Sequence, residues 1–157
     1  MKPGSVQVTT PSERELAITR VFKAPDTFVF DAYTTPELLR LWFGPRGSSL
    51  AICEIDLKVG GAWHIVIRDP EGQEAGMQGI YREVVRPTRL VTTETVDGQA
   101  GEVLRTVVLV EDHGLTTLTT TMAYATREIR DAVLKSGVEQ GASESYDRLE
   151  EFLFTIT

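Results

Sequence analysis

The sequence predicts an α+β fold: a curved antiparallel sheet wrapped on a long C-terminal helix, in the order β-α-α-β(six)-α. Two observations carry that expectation. From Ser48 to Tyr124 the chain runs in short alternating stretches separated by turn residues, the mark of consecutive strands. From Thr126 to about Phe154, apolar residues recur at four-and-three spacing and form one stripe. A one-sided helix and a one-sided sheet each bury their apolar face most simply against the other.

The elements follow in order. Met1 to Arg14 is polar and holds Pro3, Gly4 and Pro11, so residues 1–13 read as a flexible tail and 14–157 as a single domain. Glu15 to Phe22 is extended, with Leu16, Ile18 and Phe22 on one face. A first helix opens at Pro25, where Asp26 complements the helix dipole. A second opens near Thr34 or Thr35, where Thr34 and Glu37 match a capping box, and stops around Gly44-Pro45. The strands that follow are punctuated by Gly60-Gly61, Pro70-Glu71-Gly72, Arg86-Pro87, Asp97-Gly98 and Asp112-His113-Gly114. Thr126 then caps the final helix, whose stripe is Leu134, Val138, Ala142, Ser145, Leu149 and Phe152.

Strand alternation assigns the inner face. It places Ala51, Cys53, Ile55 and Leu57 inward on one strand, then Trp63, Ile65 and Ile67 on the next. Met77, Gly79 and Tyr81 follow, then Leu104, Thr106, Val108 and Val110, with Arg105 outward. The last strand presents Leu118, Thr120, Met122 and Tyr124; Arg89–Thr95 alternates too weakly to assign. This inner set mixes large aromatics with small residues and hydroxyls, and the helix opposite is thin at Gly137, Gly141, Ala142 and Ser145.

A packed core favours larger residues there, because voids are destabilising. The pattern therefore points to a cavity lined from the sheet by Cys53, Trp63, Ile65, Met77 and Tyr81, and by Leu118, Met122 and Tyr124. Val138, Gly141 and Ala142 would line it from the helix, and Trp42 with Phe43 would form a lid or anchor the second helix. The alternative is a solid core in which large sheet side chains fill the space left by the helix.

Composition narrows the partners. Lys and Arg total 16 against 23 Asp and Glu, a net charge of −7, with no basic run, so neither nucleic acid nor a membrane surface is expected. No stretch has the length and apolarity of a membrane span or a signal peptide, and the single cysteine forms no internal disulfide; a cytoplasmic monomer or homodimer is the expectation.

No catalytic constellation, metal site or cofactor is expected. Cys53 falls inside, His64 outside and His113 in a turn, so a thiolate–imidazole pair does not form. Glu54 and Asp56 read as solvated surface, and Gly60-Gly61 as a hairpin turn rather than a phosphate loop. Arg20 and Glu83 share strand faces with apolar residues; they pair with each other, face a polar ligand group, or lie at strand ends near solvent. The leading function is the binding or carriage of a small apolar molecule. The alternatives are a cavity lyase, cyclase or hydrolase using Tyr81, Tyr124 or Glu83 as acid or base, and a protein-interaction module.

Arg20-Val21-Phe22-Lys23-Ala24-Pro25, Val29-Phe30-Asp31-Ala32-Tyr33 and Trp42-Phe43-Gly44-Pro45 resemble the heat-shock-protein-90 ATPase activator homologue-like family, a START-related, SRPBCC helix-grip family. Glu54 to Trp63, Gly79 to Val85, Arg89-Leu90-Val91 and Thr116 to Met122 continue the resemblance, which covers about residues 14 to 154. It implies a helix-grip fold with a cavity between sheet and last helix, as in lipid-, sterol- and polyketide-binding relatives, and it supplies no catalytic motif. Many relatives carry a Gly-Trp pair in the last helix where this chain has Gly141-Ala142, which implies added room. The co-chaperone that names the family has a further N-terminal domain, for which this chain leaves no space, so chaperone activation is not expected.

Overall fold

The computed structural model describes residues 4–99 and 101–157. Its elements are β1 (Val6–Thr9), β2 (Glu15–Phe22), α1 (Asp26–Thr34), α2 (Pro36–Leu39), β3 (Ser49–Ile55) and β4 (Ala62–Arg68). They continue with β5 (Glu74–Val85), β6 (Arg89–Val96), β7 (Val103–Asp112), β8 (Leu115–Ala123), α3 (Arg127–Lys135) and α4 (Val138–Ile156). Strands β3 to β8 form the expected six-strand meander, and β2 pairs beside β8, giving the order β1-β2-β8-β7-β6-β5-β4-β3. Every pairing is antiparallel.

Four expectations are corrected. The sheet is open and not curled, so it does not wrap on the final helix: β1 and β3 are its two edges and do not pair. Curling needs repeated bulges or glycine kinks, whereas among the described residues the ladders shift register only at Leu50/Ile52 and Tyr81/Glu83. The proposed tail holds a strand, because Val6–Thr9 pairs with Ala17–Arg20 at the sheet edge; Met1 to Pro3 lie outside the described residues. The long helix is two helices. Thr126 does cap the first, its hydroxyl oxygen accepting from the Ile129 amide at 3.1 Å, but Gly137 at φ +90° interrupts it, a left-handed geometry that glycine adopts without strain. The capping box at Thr34 also fails to form, since that hydroxyl donates back to the Phe30 carbonyl at 2.9 Å.

The inner face follows the expected alternation on β4 (Trp63, Ile65), β5 (Tyr81) and β8 (Leu118, Thr120, Met122). On β3 the bulge turns Leu50 inward in place of Ala51, and Leu57 lies exposed beyond the strand. Strand β7 is inverted: Val103, Val107 and Leu109 are buried and Arg105 shares their face, while Leu104 and Val110 are exposed. On β6 the residues from Leu90 to Glu94 are all buried. Helix α1 meets β7 and β8, α4 meets β1, β2 and α1, and α2 meets β3, so the core lies between one sheet face and these helices. On α4 the buried positions are Tyr146, Leu149 and Leu153, so Leu149 stands as expected and burial shifts by one residue from Ser145 and Phe152, while Leu134, Val138 and Ala142 pack partly buried against the core.

Candidate functional site

Between the sheet and the helices lie two adjoining hollows. The inner, of about 60 Å³, is bounded by Trp63 and Ile65 on β4, Met77 and Tyr81 on β5, and Thr92 and Glu94 on β6. The outer, of about 300 Å³, lies against α4 at Val138, Gly141, Ala142 and Tyr146, with Thr120 and Met122 across from them. Tyr33, Phe43, Met77 and Arg105 border both. Larger clefts occur outside this space: one of about 520 Å³ beside Phe154 at the end of α4, and two of about 480 and 380 Å³ around His64 and Gln78. None of those three is bordered by Glu94 or Arg105.

Arg105 sits where the two hollows meet. Its Nε and Nη2 donate to the two carboxylate oxygens of Glu94, each at 3.1 Å, a bidentate pair. The side chains are 25% and 8% exposed. Burial works against the guanidinium charge, but Glu94 raises its pKa above the ordinary arginine value. Nη1 donates to nothing among the described residues, where Arg20 Nε is the one sealed-off side-chain nitrogen or oxygen without a partner.

Beside this pair runs a hydroxyl chain. Tyr33 Oη lies 3.3 Å from Tyr146 Oη, which lies 3.3 Å from Thr120 Oγ1. Burial, then the neighbouring Tyr146, pushes the Tyr33 pKa well above the usual phenol range; desolvation likewise raises those of Tyr81 and Tyr124. At neutral pH these phenols are uncharged. Deeper in, the Trp63 indole N–H donates to Thr92 Oγ1 at 2.6 Å, which fixes the ring against the inner hollow.

Nine of the twelve expected lining residues border this space: Trp63, Ile65, Met77 and Tyr81 the inner hollow, and Trp42, Met122, Val138, Gly141 and Ala142 the outer, with Met77 reaching both. Cys53, Leu118 and Tyr124 border neither; Leu118 is core, and the Tyr124 hydroxyl donates to the Met122 sulfur at 3.6 Å. Trp42 is an anchor, its indole N–H donating to the Ala32 carbonyl at 3.0 Å. Phe43, next to it, borders both hollows. Sequence reasoning missed Tyr33, Tyr146, Glu94 and Arg105.

The other candidates lie elsewhere. Glu83 and Arg20 do not meet: Glu83 accepts from Arg89 at the surface at 2.5 Å, and Arg20 donates to Asp147 and Glu150 on α4 at 2.7 and 3.2 Å. His64 stands 3.7 Å from Glu54 on the outer face, and His113 lies in the β7–β8 turn. Cys53 is buried, and desolvation raises its thiol pKa. Its labelling by a thiol reagent at pH 8 is expected to be on the order of 100-fold slower in the native protein than in urea. Equal rates would contradict that burial.

No curated protein matches the chain. Among solved structures, a protein from Rhodobacter sphaeroides is 33% identical, with a TM-score of 0.90 over 96% of this chain and 98% of its own. One from Nitrosomonas europaea is 27% identical, with a TM-score of 0.83 over 92% and 96%. The AHSA1 protein of Silicibacter pomeroyi shares the fold at 20% identity, with a TM-score of 0.75 over 91% and 99%. The sequence profile described as Activator of Hsp90 ATPase homolog 1-like protein matches residues 23–153. The chain therefore belongs to the Activator of Hsp90 ATPase homolog 1-like protein family, within the SRPBCC helix-grip superfamily.

Proposed function

We propose that the protein binds a small, largely apolar molecule in the paired hollows between the sheet and the helices, the outer of which lies against α4. The observation that carries this is the smallness of α4 where it borders the outer hollow. A Cβ added at Gly141 meets no atom within 4 Å, and Ala142 follows it along the same wall. Across the space stand Phe43, Met77 and Met122, side chains that suit an apolar guest. Tyr33 and Tyr81, as uncharged phenols, serve there as hydrogen-bonding walls rather than as bases.

The test is Ala142→Trp with the apolar dye N-phenylnaphthylamine. Wild type is expected to enhance the dye's fluorescence, and the variant is expected not to. Because the indole enters existing space, stability should stay within about 0.5 kcal/mol of wild type by thermal unfolding. A loss of about 1–3 kcal/mol would mean the space is already filled. A wild type that binds neither the dye nor any member of a screened hydrophobic library would overturn the reading.

A further inference from the structure

The polar wall of these hollows has a composition that selects among apolar ligands. Arg105 and Glu94 cancel each other's charge, and both Glu94 oxygens are already occupied by Nε and Nη2. What remains on the guanidinium is donors: the second N–H of Nη2 and the amino group of Nη1, the latter unmatched among the described residues and not sealed off, on a side chain that borders both hollows. The hydroxyls of Tyr33, Tyr146 and Thr120 use two O–H protons for the two contacts between them, so a third can point outward. The wall is therefore rich in donors and close to neutral in charge.

A second carboxylate entering here would lose its hydration and face Glu94 without a cation of its own. A hydrocarbon would leave the Nη1 donors unmatched once water is displaced. A neutral carbonyl oxygen meets both conditions. We propose that the bound molecule carries one carbonyl-class oxygen that accepts from Nη1 of Arg105, with its apolar remainder lying against Phe43 and Met77. The inference rests on the cavity reading and names the ligand class for that same site.

Equilibrium dialysis with three probes of one skeleton tests it: acetylnaphthalene, isopropylnaphthalene and naphthoate. Wild type is expected to bind the ketone about 10-fold more tightly than the hydrocarbon, and naphthoate more weakly than the ketone. Arg105→Met alone would strand Glu94, so the second arm uses Glu94→Leu with Arg105→Met, checked for folding by thermal unfolding. In that double variant the ketone and the hydrocarbon should bind alike. Equal binding of these two by wild type overturns the inference, as does a preference that survives in the double variant. Tightest binding of naphthoate overturns it in favour of an anion site. Hydrocarbon binding without ketone preference leaves the cavity reading standing, whereas binding of none of the three overturns both.

Discussion

Replacing Glu94 with leucine is expected to lower stability by about 3 kcal/mol, because it leaves Arg105 charged and partnerless beside an apolar core. Glu94 is 8% exposed and holds the guanidinium through two bonds at 3.1 Å. The quarter of the Arg105 side chain still exposed lets water soften the loss, which places it at the low end of the range for broken buried pairs. Adding Arg105→Met to Glu94→Leu should return stability to within about 1 kcal/mol of wild type, since an apolar pair of similar volume removes both desolvation costs. Urea denaturation of the four proteins measures the coupling directly. A single-variant loss below about 1 kcal/mol would mean that the pair is solvated rather than enclosed.

That pair was hidden from the alternation pattern but present in the turn chemistry. Strand β7 has apolar residues on both parities, and the outward place for Arg105 was the conventional choice for a charge. The β7–β8 hairpin decides otherwise. His113 and Gly114 have φ of 53° and 79°, and their two-residue turn pairs Asp112 with Leu115. Counting back from that turn sets Arg105 opposite Met122. Residues directly opposite share a face, so an inward Met122 requires an inward Arg105. The turn residues and the inward Met122 are both legible in the sequence, and the register that joins them is what places Arg105 inward. Glu94 sat in a run too uniform to assign, and every residue of it from Leu90 to Glu94 is in fact buried.

Other misses have local causes. Tyr146 falls one position beyond Ser145 in the expected stripe, on the stretch of α4 between Ala142 and Leu149. Tyr33 lies on α1, and its partner in the hydroxyl chain, Tyr146, lies 113 positions away, a separation that no local pattern reports. The open form of the sheet is also invisible to period-two alternation, which fixes faces and says nothing of closure.

Gly79→Ala is expected to cost about 3 kcal/mol, while the same substitution at Gly141 should stabilise. Gly79 is not in the left-handed region, so alanine has no backbone strain there and the cost is one of space alone. A Cβ would stand 1.8 Å from the Thr93 carbonyl oxygen and 2.7 Å from Trp63 Nε1. The first of these atoms belongs to the neighbouring strand's backbone, so β5 and β6 must separate locally. That puts at risk the bonds from the Ile80 amide to Thr93 Oγ1 and from Thr92 Oγ1 to the Ile80 carbonyl, each at 3.0 Å. Thr92 in turn holds the Trp63 indole, so the inner hollow should lose its shape along with the ladder. This is overpacking against backbone, at the upper end of its usual range. At Gly141 an added methyl meets open space within a helix, where alanine gains about 0.5–1 kcal/mol over glycine. Urea midpoints that move in opposite directions for the two variants are the expected result. A Gly79→Ala loss under about 1 kcal/mol would mean that β5 and β6 approach each other less closely at Gly79 than the structure has them.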